Sequence, residues 1–413
     1  MTTIKKIGLF GFGCVGKGLY DVVKANPDLP VSLEKICVKN INKKRPITDV
    51  AICYDKNEIL KDDKIDLIIE LIDDADEAYA IVKEALIAGK DVISANKKML
   101  ATHLAELIDL QHKYGGHLLY EASVCGSIPI IRNLEEYYAQ ESLEKLEGIC
   151  NGSSNYILSK LYDEGIPYKS ALKKAQDLGF AESNPRLDVG GFDAKYKLCI
   201  LVAHAFGVIV KPDDILNLGI QNISEEAIAY AKSKGQKIKL IAKATQNAEG
   251  VFKLSVLPHF VKEENRLFAI DNEWNAVAVK AAFSHEQLFV GKGAGDHPTA
   301  ASVLSDITAF LRNYSYSYKK LTTAAKTVDQ ADQLLSVYIS GTDQDVLEQL
   351  PIEKIISRRE AKGGLVLEAL IKRSVLFRFS TAIENSDLFI AQTACAAGNK
   401  TKNKEKIART VKV

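Results

Sequence analysis

An excess of charge of either sign is missing from this 413-residue chain. Lys and Arg number 54 against 53 Asp and Glu, a formal net charge of +1. A general nucleic-acid binder would show a basic excess, and a disordered acidic chain the reverse, so neither class fits. Cysteine motifs are missing too. The seven cysteines, at 14, 37, 53, 125, 150, 199 and 395, form no CxxC and no cluster. That pattern favours buried, reduced thiols in a reducing compartment over a disulfide framework. No apolar run is long. Leu198 to Val210 is the longest stretch, broken by His204 and Gly207. A bilayer span needs about 20 such residues. The N-terminus, MTTIKKIGLFGFG, lacks the apolar core and cleavage site of a signal peptide, so a cytoplasmic protein is expected. The seven histidines show no HxxxH or HExxH spacing, and no zinc site is expected. Neither GxSxG nor GxxxxGK[ST] occurs. Acyl hydrolysis and nucleoside-triphosphate chemistry are therefore unsupported.

What is present is an ordinary globular composition, 47% hydrophobic and 26% charged, in a length suited to about two or three domains. Residues 4–10 predict a strand that runs into GFGCVGKG, then a helix over 15–25. Strands are predicted at 33–38, 65–72, 91–94 and 117–120, with helices at 75–88 and 99–113. Alternating strands and helices imply βαβ units and a parallel sheet. The middle differs. Helices at 154–164, 168–178 and 192–207 precede strands at 237–244, 252–258 and 276–283, then a helix at 298–312. From about 335 a smaller unit is expected: a strand at 334–340, a helix at 343–349, and a largely strand-like 365–379. The fold class is thus α/β. A Rossmann-like dinucleotide-binding domain (1–130) precedes an α+β catalytic and dimerisation domain (131–320). A small C-terminal α+β module (335–395) and a basic tail (396–413) follow. The tail holds six basic residues against Glu405, so the body before it is mildly acidic.

Gly11-Phe12-Gly13-Cys14-Val15-Gly16 follows a strand and opens a helix. Its first Gly permits the turn, the second lets a pyrophosphate approach the helix N-terminus, and the third lets helix and strand pack closely. A site for NAD usually places a carboxylate at the end of the second strand. Here that end reads Val38-Lys39-Asn40, followed by Lys43-Lys44-Arg45. Lys39 and this basic cluster could meet the 2′-phosphate of NADP, or form a solvated loop. Lys97 lies just past a strand's carboxyl end, where a doubly wound sheet binds ligands. The densest polar block is 179–197, with Glu182, Asp188, Asp193, Lys195 and Lys197 ahead of an apolar helix. Asp193 and Lys197 are i,i+4 and share a helical face. A lysine at the start of a buried helix beside a carboxylate is placed for proton transfer.

In order, GFGCVGKG, IDLIIELI, VISANKKMLA, YEASVCGSIPII, EGICNGSSNYIL, the 176–201 block and GKGAGDHPTAASVLSD resemble homoserine dehydrogenase over about residues 1–310. The resemblance implies NADPH- or NADH-dependent reduction of L-aspartate 4-semialdehyde to L-homoserine, on the route to threonine and methionine. It implies that Lys197 is the proton donor and that Lys97 sits beside nicotinamide and substrate. Glu182 would bind the substrate amino group, and Asp188 and Asp193 would hold substrate and Lys197. Gly293 and Gly295 would touch the cofactor. Glu121, Val124, Gly126 and Ile128 would bind a structural sodium ion through backbone oxygens. A homodimer is implied, with 237–283 a plausible interface. Departures from the family pattern are Asp73-Asp74 after Glu70-Leu71-Ile72, Asn184 and Gly190. The 334–380 pattern suggests a reduced ACT-like domain or a plain structural extension. From the residues alone, a sugar- or polyol-type oxidoreductase, a Schiff-base lysine enzyme and a non-catalytic dinucleotide sensor stay open. The acidic 182–193 cluster favours a substrate bearing an ammonium group.

Overall fold

The computed structural model describes residues 3–247, 250–321, 333–361 and 363–393. Cys395 and the 396–413 tail lie outside them. Among the described residues the strands form two sheets. The near-continuous apolar runs become strands covered on both faces. These are β1 (Lys5–Phe10), β2 (Val31–Cys37), β3 (Ala51–Cys53), β4 (Leu67–Glu70), β5 (Asp91–Ser94) and β6 (Leu118–Leu119). All run parallel, in the order β3-β2-β1-β4-β5-β6. Leu9, Ile36, Ile68, Ile69 and Ile93 are fully buried there. The strand order reverses between β1 and β4, which opens a crevice beyond their carboxyl ends. β3 was not foreseen, because its three residues carry too little pattern.

Crossover helices close each unit. Helix Cys14–Lys24 follows β1, helix Ala75–Ile87 follows β4, and helix Lys97–Tyr114 follows β5. The Asp73-Asp74 departure has a local cause. Asp74 accepts the amide hydrogens of Asp76 and Glu77, at 3.0 and 3.1 Å, and so caps helix Ala75–Ile87.

The second sheet is mostly antiparallel. Its strands are β7 (Leu143–Ile149), β8 (Leu216–Asn217), β9 (Gln236–Gln246), β10 (Phe252–Lys262), β11 (Trp274–Ala281) and β12 (His285–Lys292). The series continues with β13 (Leu334–Gly341), β14 (Ile352–Ala361), β15 (Gly364–Lys372) and β16 (Phe389–Gln392). The order is β12-β11-β7-β9-β10-β16-β13-β15-β14, with β8 beside β10. Strands after residue 333 therefore extend the sheet of the middle region. The expected strand over 365–379 is corrected: β15 ends at Lys372, and Arg373–Arg378 is helical. A short apolar run cannot be assigned from periodicity. Here Val375 and Leu376 turn inward, into a core shared with Leu216 and Leu257.

Helix Phe192–Phe206 lies between the sheets. It packs on helix Lys97–Tyr114 and on β9, and nearly all its residues are buried. That helix carries Asp193 and Lys197.

Candidate active site

The glycine loop is built for a close approach. Gly11 has φ +94°, and a Cβ there would lie 2.4 Å from the Leu71 oxygen. A Cβ on Gly16 would lie 2.4 Å from the Gly11 oxygen, so strand, turn and helix meet without side chains. At Gly13, the N-cap, a Cβ would meet nothing within 4 Å. Open space thus lies before a helix whose first turn carries no acidic residue, the arrangement a pyrophosphate needs. Phe12 and Val15 flank the turn half-buried, and Cys14, at the open start of the helix, is exposed, unlike the other described cysteines and against the expectation of buried thiols. Gly18 gives the same helix a second contact, because a Cβ there would lie 2.9 Å from the Asp296 oxygen. Asp296 opens helix Asp296–Leu311, whose N-cap is Gly295 with φ +122°. The returning loop with Gly293 and Gly295 is thereby set beside the dinucleotide loop. Lys39 lies exposed after β2. In the loop behind it, the Arg45 guanidinium donates to the Asn40 and Lys43 oxygens at 3.0 and 2.8 Å.

The two expected catalytic lysines converge on one carboxylate, Asp193. Lys197 Nζ donates to Asp193 Oδ2 at 2.7 Å and to the Cys150 oxygen at 2.8 Å. Lys97 Nζ lies 2.9 Å from Asp193 Oδ1. Asp193 and Lys197 are buried, whereas the Lys97 side chain is 41% exposed at the edge of the cleft. Burial opposes the charge on Asp193, but Lys197 and Lys97 overcome it and hold that carboxyl well below the usual carboxylate range. Burial likewise opposes the charge on Lys197, yet Asp193 keeps its ammonium above the ordinary lysine range. An ammonium has three donors. Two are taken, and the third has no acceptor among the described residues.

Asn151 went unassigned in the sequence. Its amide nitrogen donates to Asp188 Oδ1 at 2.8 Å and to Asp193 Oδ2 at 2.9 Å. Its oxygen caps helix Gly152–Asp163 through the Ser154 amide at 2.8 Å. Burial, with Asp193 adding to it, pushes the Asp188 carboxyl up. The available signal was an Asn-Gly step ahead of an apolar-periodic helix. It identifies a cap but says nothing of what else the amide reaches. Glu182 is not drawn into this cluster. It is exposed, its backbone oxygen accepts from the Gln176 amide at 2.9 Å, and its carboxylate makes no ion pair among the described residues. At Gly190, a Cβ would lie 2.7 Å from the Phe192 ring. That ring occupies the space of a larger residue.

Glu121, Val124, Gly126 and Ile128 occupy the buried turn between β6 and helix Ile130–Glu135. The Glu121 carboxylate is committed elsewhere, accepting the Ile131 and Arg132 amides, both at 2.8 Å. The Glu121 oxygen accepts from the Val124 amide at 3.3 Å, and the Ile128 oxygen from the Ile130 amide at 2.8 Å. The Gly126 oxygen accepts from the Ser302 hydroxyl at 2.6 Å. This turn lies against the returning loop: a Cβ on Gly126 would lie 2.5 Å from the Lys292 oxygen.

Residues 129–308 match the family described as homoserine dehydrogenase, and residues 11–121 match the homoserine dehydrogenase NAD-binding domain. The homoserine dehydrogenase of Helicobacter pylori is 36% identical over 399 residues, spanning 92% of this chain and 93% of its own. That of Bacillus subtilis is 36% identical over 317 residues, spanning 75% of this chain and 73% of its own. The solved homoserine dehydrogenase of Thiobacillus denitrificans superposes with a TM-score of 0.81 at 27% identity, over 94% of this chain and 98% of that one.

Proposed function

This chain belongs to the homoserine dehydrogenase family of NAD(P)-dependent oxidoreductases, and from that premise we propose how its own residues carry the reduction of L-aspartate 4-semialdehyde to L-homoserine. The reduced nicotinamide, when bound, supplies a hydride to the aldehyde carbon. The remaining work falls to the protein. Gly11, Gly13 and Gly16 admit the pyrophosphate, while Gly293 and Gly295 close over the cofactor from the other domain.

The observation that carries this reading is the buried Lys197 ammonium, fixed by Asp193 and the Cys150 oxygen with one N–H left over. That N–H faces the oxygen on which charge develops, and a fixed positive group there lowers the barrier. An alkoxide is far more basic than an amine, so Lys197 gives up a proton to it even though Asp193 holds that proton tightly. Lys97 shares Asp193 and brings a second positive charge to the cleft edge. Asp188 and Asp193, aligned by Asn151, and the exposed Glu182 offer carboxylates to the substrate ammonium group. Lys39 and the basic loop after β2 favour NADP over NAD.

The sodium ion and the assembly complete the proposal. Glu121, Val124, Gly126 and Ile128 would hold sodium through backbone oxygens. A carbonyl oxygen that accepts one hydrogen bond keeps a second lone pair, so the turn fits a structural cation. A homodimer would form through the second sheet, where Trp274 at the start of β11, Phe283 in the β11–β12 turn and Val290 on edge strand β12 are exposed. The units 1–130, 131–320 and 335–395 would act as cofactor-binding, catalytic and accessory parts, supplying threonine and methionine synthesis.

Homoserine and NADP, or NAD, mixed with the protein at alkaline pH should yield the absorbance of reduced nicotinamide. Lys197→Ala should lower turnover by about 100-fold or more and leave NADPH binding intact. Folded wild-type protein silent with both cofactors would overturn the activity. Equal turnover in the variant would overturn Lys197 as the acid.

A further inference from the structure

Glu70 ends β4 and is fully buried. No part of the reaction described above uses it. Its Oε1 accepts the Ile72 amide hydrogen at 2.7 Å, and its Oε2 lies 2.5 Å from the Ser94 hydroxyl at the end of β5. That hydroxyl oxygen itself accepts from the Asn96 amide at 3.1 Å. The Ser94 hydroxyl donates to Glu70. Both carboxylate oxygens then act as acceptors, which is what the ionised form supplies and the protonated form does not.

The chain of contacts continues. The Asn96 side-chain nitrogen donates to the Ile72 oxygen at 3.1 Å, and its oxygen caps helix Lys97–Tyr114 through the Met99 amide at 3.0 Å. Lys97 is the next residue and pairs with Asp193 in the catalytic cluster. Glu70, Ser94 and Asn96 thus form a continuous hydrogen-bonded path from the floor of the crevice to Lys97.

We propose that Glu70 is a positioning residue: its carboxylate, through Ser94 and Asn96, fixes the start of helix Lys97–Tyr114 so that Lys97 stays on Asp193. The inference rests on the role given to Lys97 above. Burial pushes the Glu70 carboxyl up to about 7, and Asp73 on the following loop adds to the shift. β1 and β5 present Phe10 and Ser94 to it in register, and neither is charged. The path therefore changes state near neutral pH, with the working form above it.

The test is a double-mutant cycle on the full chain, assayed in the reductive direction across roughly pH 5.5–9, which spans the group's titration on both sides, with thermal melting alongside. Glu70→Gln should lower kcat by about tenfold or more, keep NADPH affinity, and remove an acid limb that wild type shows near neutral pH. Adding Glu70→Gln to Lys97→Ala should cost little beyond Lys97→Ala alone. If the two losses multiply, Glu70 does not act through Lys97 and the proposal fails. Full turnover in Lys97→Ala would instead sink the Lys97 role, a separate outcome. Should Glu70→Gln melt far below wild type, Ser94→Ala decides the matter. Loss of the hydroxyl donor must move the acid limb to higher pH, and an unmoved limb overturns the proposal.

Discussion

Asp193 takes its contacts from Lys197, Lys97 and Asn151, and those three come from three separate stretches of chain. The carboxylate is an organiser of charge more than a reacting group. Neutralising it removes the attraction that keeps Lys197 protonated, and burial then acts alone to lower that lysine's pKa. Asp193→Asn should therefore show two effects in homoserine oxidation, where Lys197 must start as a neutral base. The alkaline rise in rate should shift to lower pH, because the lysine deprotonates more easily. The maximal rate should fall by about 100-fold, because both lysines lose their anchor. A pH–rate profile of the variant reads both, and a shift to higher pH would contradict the pairing.

At the scale of elements, the proposed preference for NADP rests on the β2 end and its loop. No carboxylate stands where a ribose 2′-hydroxyl would be recognised, and Lys39 is exposed there. A lysine at that place gains a charge-assisted contact only from a phosphate. Lys39→Ala should raise KM for NADP by about tenfold, roughly 1.4 kcal/mol, and leave KM for NAD unchanged. Equal effects on both cofactors would mean that Lys39 does not face the 2′-position. The neighbouring helix Cys14–Lys24 serves two partners, since Gly16 admits the turn and Gly18 admits helix Asp296–Leu311. One short helix therefore fixes the cofactor loop against the returning loop of the other domain.

Across the whole molecule, the last strands matter through burial. β13, β15 and β16 continue the second sheet, and Leu335, Val337 and Leu376 share a core with Leu216, Leu218 and Leu257. Residues beyond 308 fall outside both family matches, and every proposed catalytic group lies before them. A chain ending at Leu321 would expose Leu216, Leu218 and Leu257 and leave β10 without β16. It should melt several degrees lower, as a loss of even about 1 kcal/mol implies about 2–4 °C at such sizes, and aggregate more readily. Unchanged melting would show the terminal unit to be an independent appendage.

Local pattern alone carried the dinucleotide loop, the alternation of strands and helices, and the Asp193–Lys197 pair. Each depends on residues close in sequence: a glycine triplet after a strand, a period of two or near 3.6, an i,i+4 spacing. β7 was not legible. Its Glu144, Lys145 and Glu147 read as polar, and only the sheet shows them pairing with Lys280, Glu286 and Lys243. Nor could the sequence show that Asn151 spans Asp188 and Asp193, that Lys97 crosses between domains to Asp193, or that Glu70 supports it through Ser94. Such contacts join residues tens of positions apart, and they depend on how β4 and β5 pair and on how helix Phe192–Phe206 packs against helix Lys97–Tyr114. Sequence determined which chemistry the chain could hold. Tertiary structure decided which side chains share one buried carboxylate, because burial makes a charge costly unless partners surround it.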